Sequence, residues 1–362
     1  MKTNPFKAVS FSQNAVSEAL ARCGYLIADT KYDGVRGNIC VDNTANGLWL
    51  SRVGKTIPAL EHLNGFDSRW QRMLKDDRCI YPEGFMLDGE LMVKATDFNT
   101  GSGILRTKWT KANNFAFHRD VDRIPFCRDR KGKLSVKGQH PFELDPQQLK
   151  VVLYAIVPLH IVESGEDHPV MNLLMPLHVA AMVNVLKEYF PEIDWCLSES
   201  RDVYDMEELN ALYEQRRAEG NEGLVVKDPQ GIYKRGKKTG WWKMKPENEA
   251  DGVITGLVWG TEGLANEGKV IGFEVLLESG RVVNATNISR ALMDEFTQKV
   301  LDNGDPHFKI SHHHRQPDST WENPYQGWQC QISYMEETPD GSLRHPSFDK
   351  FRGTEENPKE KM

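Results

Sequence analysis

The chain is 362 residues long, 39% hydrophobic and 27% charged, with 9 tryptophans. That composition fills packed cores and excludes a disordered or fibrous chain, and the length suits two domains or one large one. A net charge of −7 excludes a uniformly basic nucleic-acid binder, but the charge is unevenly spread.

Residues 247–362 carry 11 Lys+Arg against 20 Asp+Glu, whereas 1–246 carry 34 against 32. Within the first part, 106–137 holds ten basic and three acidic residues, and 234–245 holds six basic and no acidic ones. Positive charge is thus gathered in a few places where a polyanion can sit. No apolar run follows the polar start Met1-Lys2-Thr3-Asn4, and the longest apolar stretch, 151–162, is broken by Pro158 and His160. Neither suits a signal peptide or a bilayer span, so a soluble, cytoplasmic protein with no membrane partner is expected. The cysteines (Cys23, Cys40, Cys79, Cys127, Cys196, Cys330) are scattered and contain no C-x-x-C pair. This fits reduced thiols better than a disulfide framework or a zinc site.

In chain order, residues 14–22 carry a short helical pattern, and Tyr25-Leu26-Ile27-Ala28 is an apolar strand that runs into Lys31-Tyr32-Asp33-Gly34. Strands at 37–42 and 48–52 flank the turn-rich 43–47, a hairpin pattern. Residues 85–93 form a further strand, and the continuous apolar run 151–157 a buried one. Between them, 106–148 has no clear period. Helical patterns follow at 172–189 and 206–219, the second stopped by Gly220, and then strands at 223–227 and 241–245. Pro246-Glu247-Asn248-Glu249 is a polar, proline-led break where the charge balance changes sign. Beyond it lie strands at 252–259, 270–277, 281–285 and 329–335. A helix at 289–301 with Leu292, Phe296 and Val300 on one face interrupts them, the pattern of a small Greek-key barrel such as the OB-fold. The expected class is α+β, divided into 1–246 and 247–362.

Four short stretches carry chemistry. Lys31-Tyr32-Asp33-Gly34-Val35-Arg36 sets a lysine at the end of a buried strand, before a glycine turn and close to an arginine. Neighbouring cations and partial desolvation make such a lysine a nucleophile, although a β-turn with a surface lysine fits the same letters. Leu87-Asp88-Gly89-Glu90-Leu91 brackets a glycine with two carboxylates, which suits Mg²⁺ or a ribose hydroxyl, or else a polar bulge. Glu222-Gly223-Leu224-Val225-Val226-Lys227 again leads from an acid through an apolar strand to a lysine. In Trp241-Trp242-Lys243-Met244-Lys245 the alternation points Lys243 and Lys245 to one face, a phosphate clamp or a lysine-guarded edge strand.

In this order and spacing the four stretches resemble the covalent nucleotidyltransferases: DNA ligases, RNA ligases and messenger-RNA capping enzymes. Longer stretches, among them 6–11, 58–67, 233–238, 287–296 and Arg344-His345-Pro346-Ser347-Phe348, are similar to the small two-domain, ATP-dependent DNA ligases of short-tailed phages of enteric bacteria. The likeness covers nearly the whole chain and weakens at 112–148 and 303–322. It implies an adenylation domain of antiparallel sheets with flanking helices, followed by an OB-fold β-barrel. The implied reaction seals nicks in double-stranded DNA, in replication, repair and recombination. ATP is the implied cofactor, with Mg²⁺ or another divalent cation, and a monomer is expected.

By that resemblance Lys31 attacks the α-phosphate of ATP and carries AMP. Lys243 and Lys245 hold the α-phosphate and Lys227 contacts phosphate, while Glu222 binds metal and Glu90 a ribose hydroxyl or metal. Asp29 stands where the wider family has a glutamate near the adenine amino group, and the backbone of Thr30 joins in base recognition. Tyr154 resembles the aromatic that stacks on adenine, or is a buried sheet aromatic. Arg36 and Arg52 look like arginines near the ribose and the nick phosphate. The C-terminus departs from the R-x-D-K signature of many cellular ligases, leaving Lys350 and Arg352 as its nearest counterparts. The basic 106–137 segment, with Lys131 and Lys133, and the cluster Lys234, Arg235, Lys237 and Lys238 are the candidate DNA contacts. His312-His313-His314 is a weak metal candidate, since consecutive histidines rarely converge on one ion. An RNA ligase, a GTP-dependent capping enzyme and a catalytically silent OB-type binding protein remain alternatives.

Overall fold

The computed structural model describes residues 1–303, 322–337 and 341–353; His312–His314 lie outside the described residues. The chain divides into two compact units, one of Met1–Tyr204 with Val225–Trp242, the other of Asp205–Leu224 with the chain from Lys243 onward.

Two sheets organise the first unit. One has the strand order Phe6–Ser10, Gly236–Met244, Gly223–Lys227, Leu26–Lys31, Ser200–Val203. The other has the order Asp194–Leu197, Leu149–Pro158, Gly84–Val93, Val35–Asp42, Asn46–Ser51, Gly65–Phe66. Its pairings are antiparallel except for Asp194–Leu197 against Leu149–Pro158. The two central strands, Gly84–Val93 and Leu149–Pro158, are buried almost throughout, which is why they read as continuous apolar runs. Helix Met175–Tyr189 starts with Pro176 in its first turn and buries Val179, Met182, Val183 and Leu186, a 3–4 spacing that keeps one face inward. Residues of both sheets and of this helix share one hydrophobic core.

The period-free segment 106–148 folds into short 3-10 turns and one small hairpin, Phe126–Arg128 paired with Leu134–Val136. Every residue of the first hairpin strand is exposed, so burial imposes no alternation that a sequence pattern could show.

In the second unit, five antiparallel strands run in the order Val282–Ala285, Val270–Leu277, Asn248–Trp259, Gln329–Tyr334, Ser347–Gly353. A bridge between Thr286 and Ser347 joins the two ends of that order, closing the sheet as an OB-fold barrel closes. Helix Arg290–Asn303 buries Met293, Phe296 and Val300; Met293 takes the inward position expected for Leu292, which is only partly buried. Phe273, Phe296, Tyr325 and Phe348 pack edge-on or tilted with ring centres 5.0–5.5 Å apart, the favoured aromatic geometry. Helix Met206–Ala218, capped by the Asp205 carboxylate on the Glu208 N–H, belongs to this unit. All six cysteines are free thiols, as their spacing implied. Among the described residues no helix is long and apolar enough to cross a membrane.

Candidate active site

Lys31 is the half-buried last residue of strand Leu26–Lys31, whose other five residues are buried. Its neighbour Thr30 donates its backbone N–H to the Glu199 carbonyl (2.8 Å), which commits that N–H within the protein. After the strand the chain turns at Gly34, where a Cβ would lie 2.7 Å from the Leu91 carbonyl oxygen and 2.8 Å from Glu90 Cγ. Only glycine lets the Lys31 turn press against the strand bearing Glu90. Gly89 is fixed in the same way: a Cβ there would lie 2.4 Å from the Val152 carbonyl oxygen, beside a register shift at Asp88/Gly89. The glycines of K-x-D-G and D-G-E are therefore both packing requirements.

Asp88 is completely buried, and its carboxylate accepts four bonds. Arg36 donates two of them, Nε and Nη2 at 2.7 Å each; Asn38 Nδ2 gives one at 2.9 Å and the Tyr233 hydroxyl one at 2.5 Å. Asp88 is thus fully occupied inside the protein and offers nothing to a metal. Arg36 also donates to the Phe6 carbonyl (3.0 Å), and its guanidinium lies 5.1 Å from the centre of the Tyr154 ring. Tyr154 in turn donates its hydroxyl to Glu90 (3.0 Å). Burial alone would lower the Arg36 pKa, but Asp88 reverses this and holds the guanidinium firmly charged. Burial, and then the adjacent carboxylates, push the phenols of Tyr154 (by Glu90) and Tyr233 (by Asp88) well above their ordinary value. Both stay neutral hydrogen-bond donors. Arg36, expected at the ribose, is thus held between the Asp88 carboxylate, the Phe6 carbonyl and the Tyr154 ring.

A narrow cavity opens beside these residues, lined by Asp29, Tyr154 and Lys227 among apolar Ile27, Leu153 and Met175. Lys227 Nζ is 2.5 Å from Asp29 Oδ2, and both side chains are buried. The same ammonium sits 4.0 Å from the centre of the Trp241 ring, a cation–π contact strengthened by desolvation. Trp241 is pinned by its Nε1–H donating to Asn172 Oδ1 (2.9 Å), while Asn172 Nδ2 donates to the Asp228 carbonyl (2.7 Å). Sequence reasoning had Trp241 only as packing and missed Asn172, an ordinary letter in a helix-leading loop.

In the second unit, Lys245 Nζ lies 2.6 Å from Glu222 Oε1, and Lys243 Nζ lies 2.7 Å from Glu247 Oε1. Gly223, at φ +148° with a virtual Cβ 2.1 Å from the Met244 carbonyl oxygen, brings the Glu222 strand against the Lys243–Lys245 segment. Among the described residues no group of three or more His, Cys, Asp or Glu converges as a metal cage. Single carboxylates such as Glu222 and Glu90 fit Mg²⁺, which keeps several waters and binds through one or two carboxylates together with substrate phosphates.

The remaining candidates fall outside these clusters. Arg52 is exposed in the turn after strand Asn46–Ser51. Lys350 is exposed beside Asp349, and Arg352 Nε lies 3.3 Å from Asp251. Lys131 and Lys133 project from the tip of the Phe126–Val136 hairpin, where the Asp129 carboxylate accepts both of their backbone N–H groups (2.9 and 2.8 Å) and stiffens the turn. Phe126 on this hairpin is 56% exposed. Lys237 is exposed, Lys234 donates to the Thr239 carbonyl (2.8 Å) and Lys238 pairs with Asp167 (3.0 Å). Arg235 is corrected: it is buried, with its guanidinium turned inward on the carbonyls of Thr3 and Asn4 and its own N–H on Asp167. It ties the N-terminus to the sheet and has no path to a phosphate.

Comparison with known proteins adds to this geometry. The family model of an ATP dependent DNA ligase domain matches residues 5–245, and that of a DNA ligase C-terminal domain matches 246–352. A DNA ligase of Escherichia phage T7 is 68% identical over 100% of this chain and 99% of its own length. One of Enterobacteria phage T3 is 65% identical over 99% of each. The solved structure of an ATP-dependent DNA ligase from bacteriophage T7 in complex with ATP covers 97% of this chain and 99% of its own, with a TM-score of 0.83.

The Arg36–Asp88 cluster makes a sharp prediction. Asp88→Ala leaves the half-buried Arg36 guanidinium, the Asn38 amide and the buried Tyr233 hydroxyl without their shared acceptor and is expected to cost about 3–5 kcal/mol of stability. Denaturant titration checks this, and a loss under about 1 kcal/mol would show that the cluster is not structural.

Proposed function

The chain belongs to the ATP-dependent DNA ligases, and from that membership we propose that Lys31 is its nucleophile and that the cavity lined by Asp29, Tyr154 and Lys227 receives the adenine of ATP. The observation that supports this best is the joint placement of a strand-end lysine, a glycine turn pressed on Glu90, and a cavity lined by Asp29, Tyr154 and Lys227. The RNA-ligase, capping and silent-binder alternatives lose their ground with the family membership.

The proposed reaction has three transfers. The Lys31 Nζ lone pair attacks the α-phosphorus, the bond to the bridging oxygen breaks, pyrophosphate leaves and the amine sheds a proton. An oxygen of the 5′-phosphate at a DNA nick then attacks the same phosphorus, and Lys31 departs and regains its proton. Finally the 3′-hydroxyl attacks the 5′-phosphorus, AMP leaves and the strand is sealed. Such transfers depend on positioning and on charge held against the non-bridging oxygens. Lys243, Lys245 and Lys227 supply that charge. Asp29 accepts from the adenine amino group, Tyr154 stacks on the ring, and Arg36, against Tyr154, serves near the ribose. The backbone of Thr30 joins in base recognition, and Arg52 meets the nick phosphate. Glu222 and Glu90 would hold Mg²⁺ or another divalent cation, which when bound neutralises phosphate charge.

We assign 1–246 to the adenylation domain and 247–362 to the OB-fold domain, with Lys350 and Arg352 serving near the leaving pyrophosphate. The substrate is nicked duplex DNA, bound by a monomer in the cytoplasm of the host cell during replication, repair and recombination. Lys131, Lys133, Lys234, Lys237 and Lys238 meet its backbone. Sealing a nick needs no base readout, so phosphate contacts dominate.

Lys31→Ala is expected to abolish the covalent AMP adduct while retaining measurable sealing of a nick that already carries AMP on its 5′-phosphate. An adduct at full level would put the nucleophile elsewhere. Lys131→Ala with Lys133→Ala is expected to flatten the salt dependence of nicked-DNA binding, by a slope of about 0.9 for each phosphate that is no longer neutralised. An unchanged slope would remove the hairpin from the DNA face.

A further inference from the structure

We propose that Ser198 is a base-reading residue, its hydroxyl hydrogen-bonding to the purine ring of ATP as a second polar contact beside Asp29. The inference deepens the reading of the cavity as the adenine site and rests on it.

The other polar side chains that line that cavity have partners or face solvent. Asp29 is bound to Lys227 at 2.5 Å. The Asn172 side chain spends its oxygen on Trp241 and its nitrogen on the Asp228 carbonyl. The Tyr154 hydroxyl donates to Glu90. Ser200 is exposed to solvent. Ser198 differs from all of these: it lines the cavity, is only 6% exposed, and its Oγ is buried with no hydrogen-bond partner in the protein.

Its backbone explains why it is held there. The Ser198 N–H donates to the Leu153 carbonyl (3.1 Å), one residue before Tyr154, and two residues later Ser200 pairs across from Asp29. Ser198 therefore joins the strand of the stacking ring to the strand of the carboxylate. A ring lying on Tyr154 with its amino group toward Asp29 presents its nitrogens to this neighbourhood. A hydroxyl both donates and accepts, so it can meet a ring nitrogen or the exocyclic amino group. Left without a partner in an apolar wall the hydroxyl is penalised, and a ligand atom relieves that penalty. Leu197-Ser198-Glu199-Ser200 carries no motif that would single it out.

The test is the kinetics of self-adenylation by the full-length protein and by Ser198→Ala and Ser198→Thr. The substrates are ATP, 7-deaza-ATP, which lacks N7, and purine riboside triphosphate, which lacks the 6-amino group. Thermal unfolding without nucleotide is measured in parallel. We expect Ser198→Ala to raise the KM for ATP about five- to tenfold, the reach of one neutral hydrogen bond, with kcat nearly unchanged. Its melting temperature should be equal to or above that of the parent protein, because an unsatisfied buried group is gone. Ser198→Thr should restore part of the affinity. One analogue should lose affinity with the parent protein but not further with Ser198→Ala. A KM within twofold of the parent, an equal loss for every analogue, or a weakened KM that simply tracks a lowered melting temperature would each overturn the proposal. A parent protein that takes no AMP from ATP at all would overturn the cavity reading beneath it, an outcome distinct from the others.

Discussion

The buried Asp88 carboxylate, closed off by a half-buried Arg36, is the constraint on which the first unit depends. A carboxylate with no solvent access is tolerable only when every lone pair is met, and here an arginine fork, an asparagine amide and a tyrosine hydroxyl meet them. Those partners come from separate parts of the chain, so satisfying one charge fixes the register of Val35–Asp42 against Gly84–Val93 and anchors Phe6 and Tyr233 as well. The same guanidinium underlies Tyr154, which holds Glu90. Structure and site chemistry therefore share one charge cluster, and a change made for either is felt by both.

The lysines assigned to phosphate are not idle in the resting protein. Lys227 lies against Asp29, Lys245 against Glu222 and Lys243 against Glu247. Each acid holds its lysine in place, and each must be displaced or shared when a triphosphate arrives. Such pairs keep the cations in place at the cost of competition with substrate, the sense in which a site is preorganised. Trp241 adds an aromatic face that holds Lys227 from a second side.

Strands whose burial is imposed on both faces were legible from the sequence: Gly84–Val93, Leu149–Pro158 and Gly223–Lys227 appear where their apolar runs put them. The OB-type barrel was legible as well, because Val270–Leu277 and its neighbours alternate against one aromatic core. Ser200–Val203 and the Phe126–Arg128 hairpin strand were not, since exposed side chains leave no period and the partner strand alone decides the fold. At the site, Asp29, Tyr154 and Lys227 were reached through the family likeness, and the structure brings them to one cavity. A run of basic letters could not tell Arg235, turned onto backbone carbonyls, from Lys237, exposed to solvent. Nor could an acid-glycine-acid motif show that Asp88 is spent internally. Charge type is written in the sequence, but the direction a charged side chain takes depends on which carbonyls the fold leaves open.

As an ATP-dependent DNA ligase, this chain carries AMP on a lysine and passes it to nicked DNA. The most direct measurement is covalent labelling with α-labelled ATP, GTP or NAD in the presence of Mg²⁺, resolved on a denaturing gel. Pyrophosphate treatment beforehand strips any AMP retained from purification. Label from ATP alone is expected, discharged by nicked duplex with joining of the strand. Label from GTP or NAD instead, or label from ATP that nicked DNA does not discharge, would contradict it.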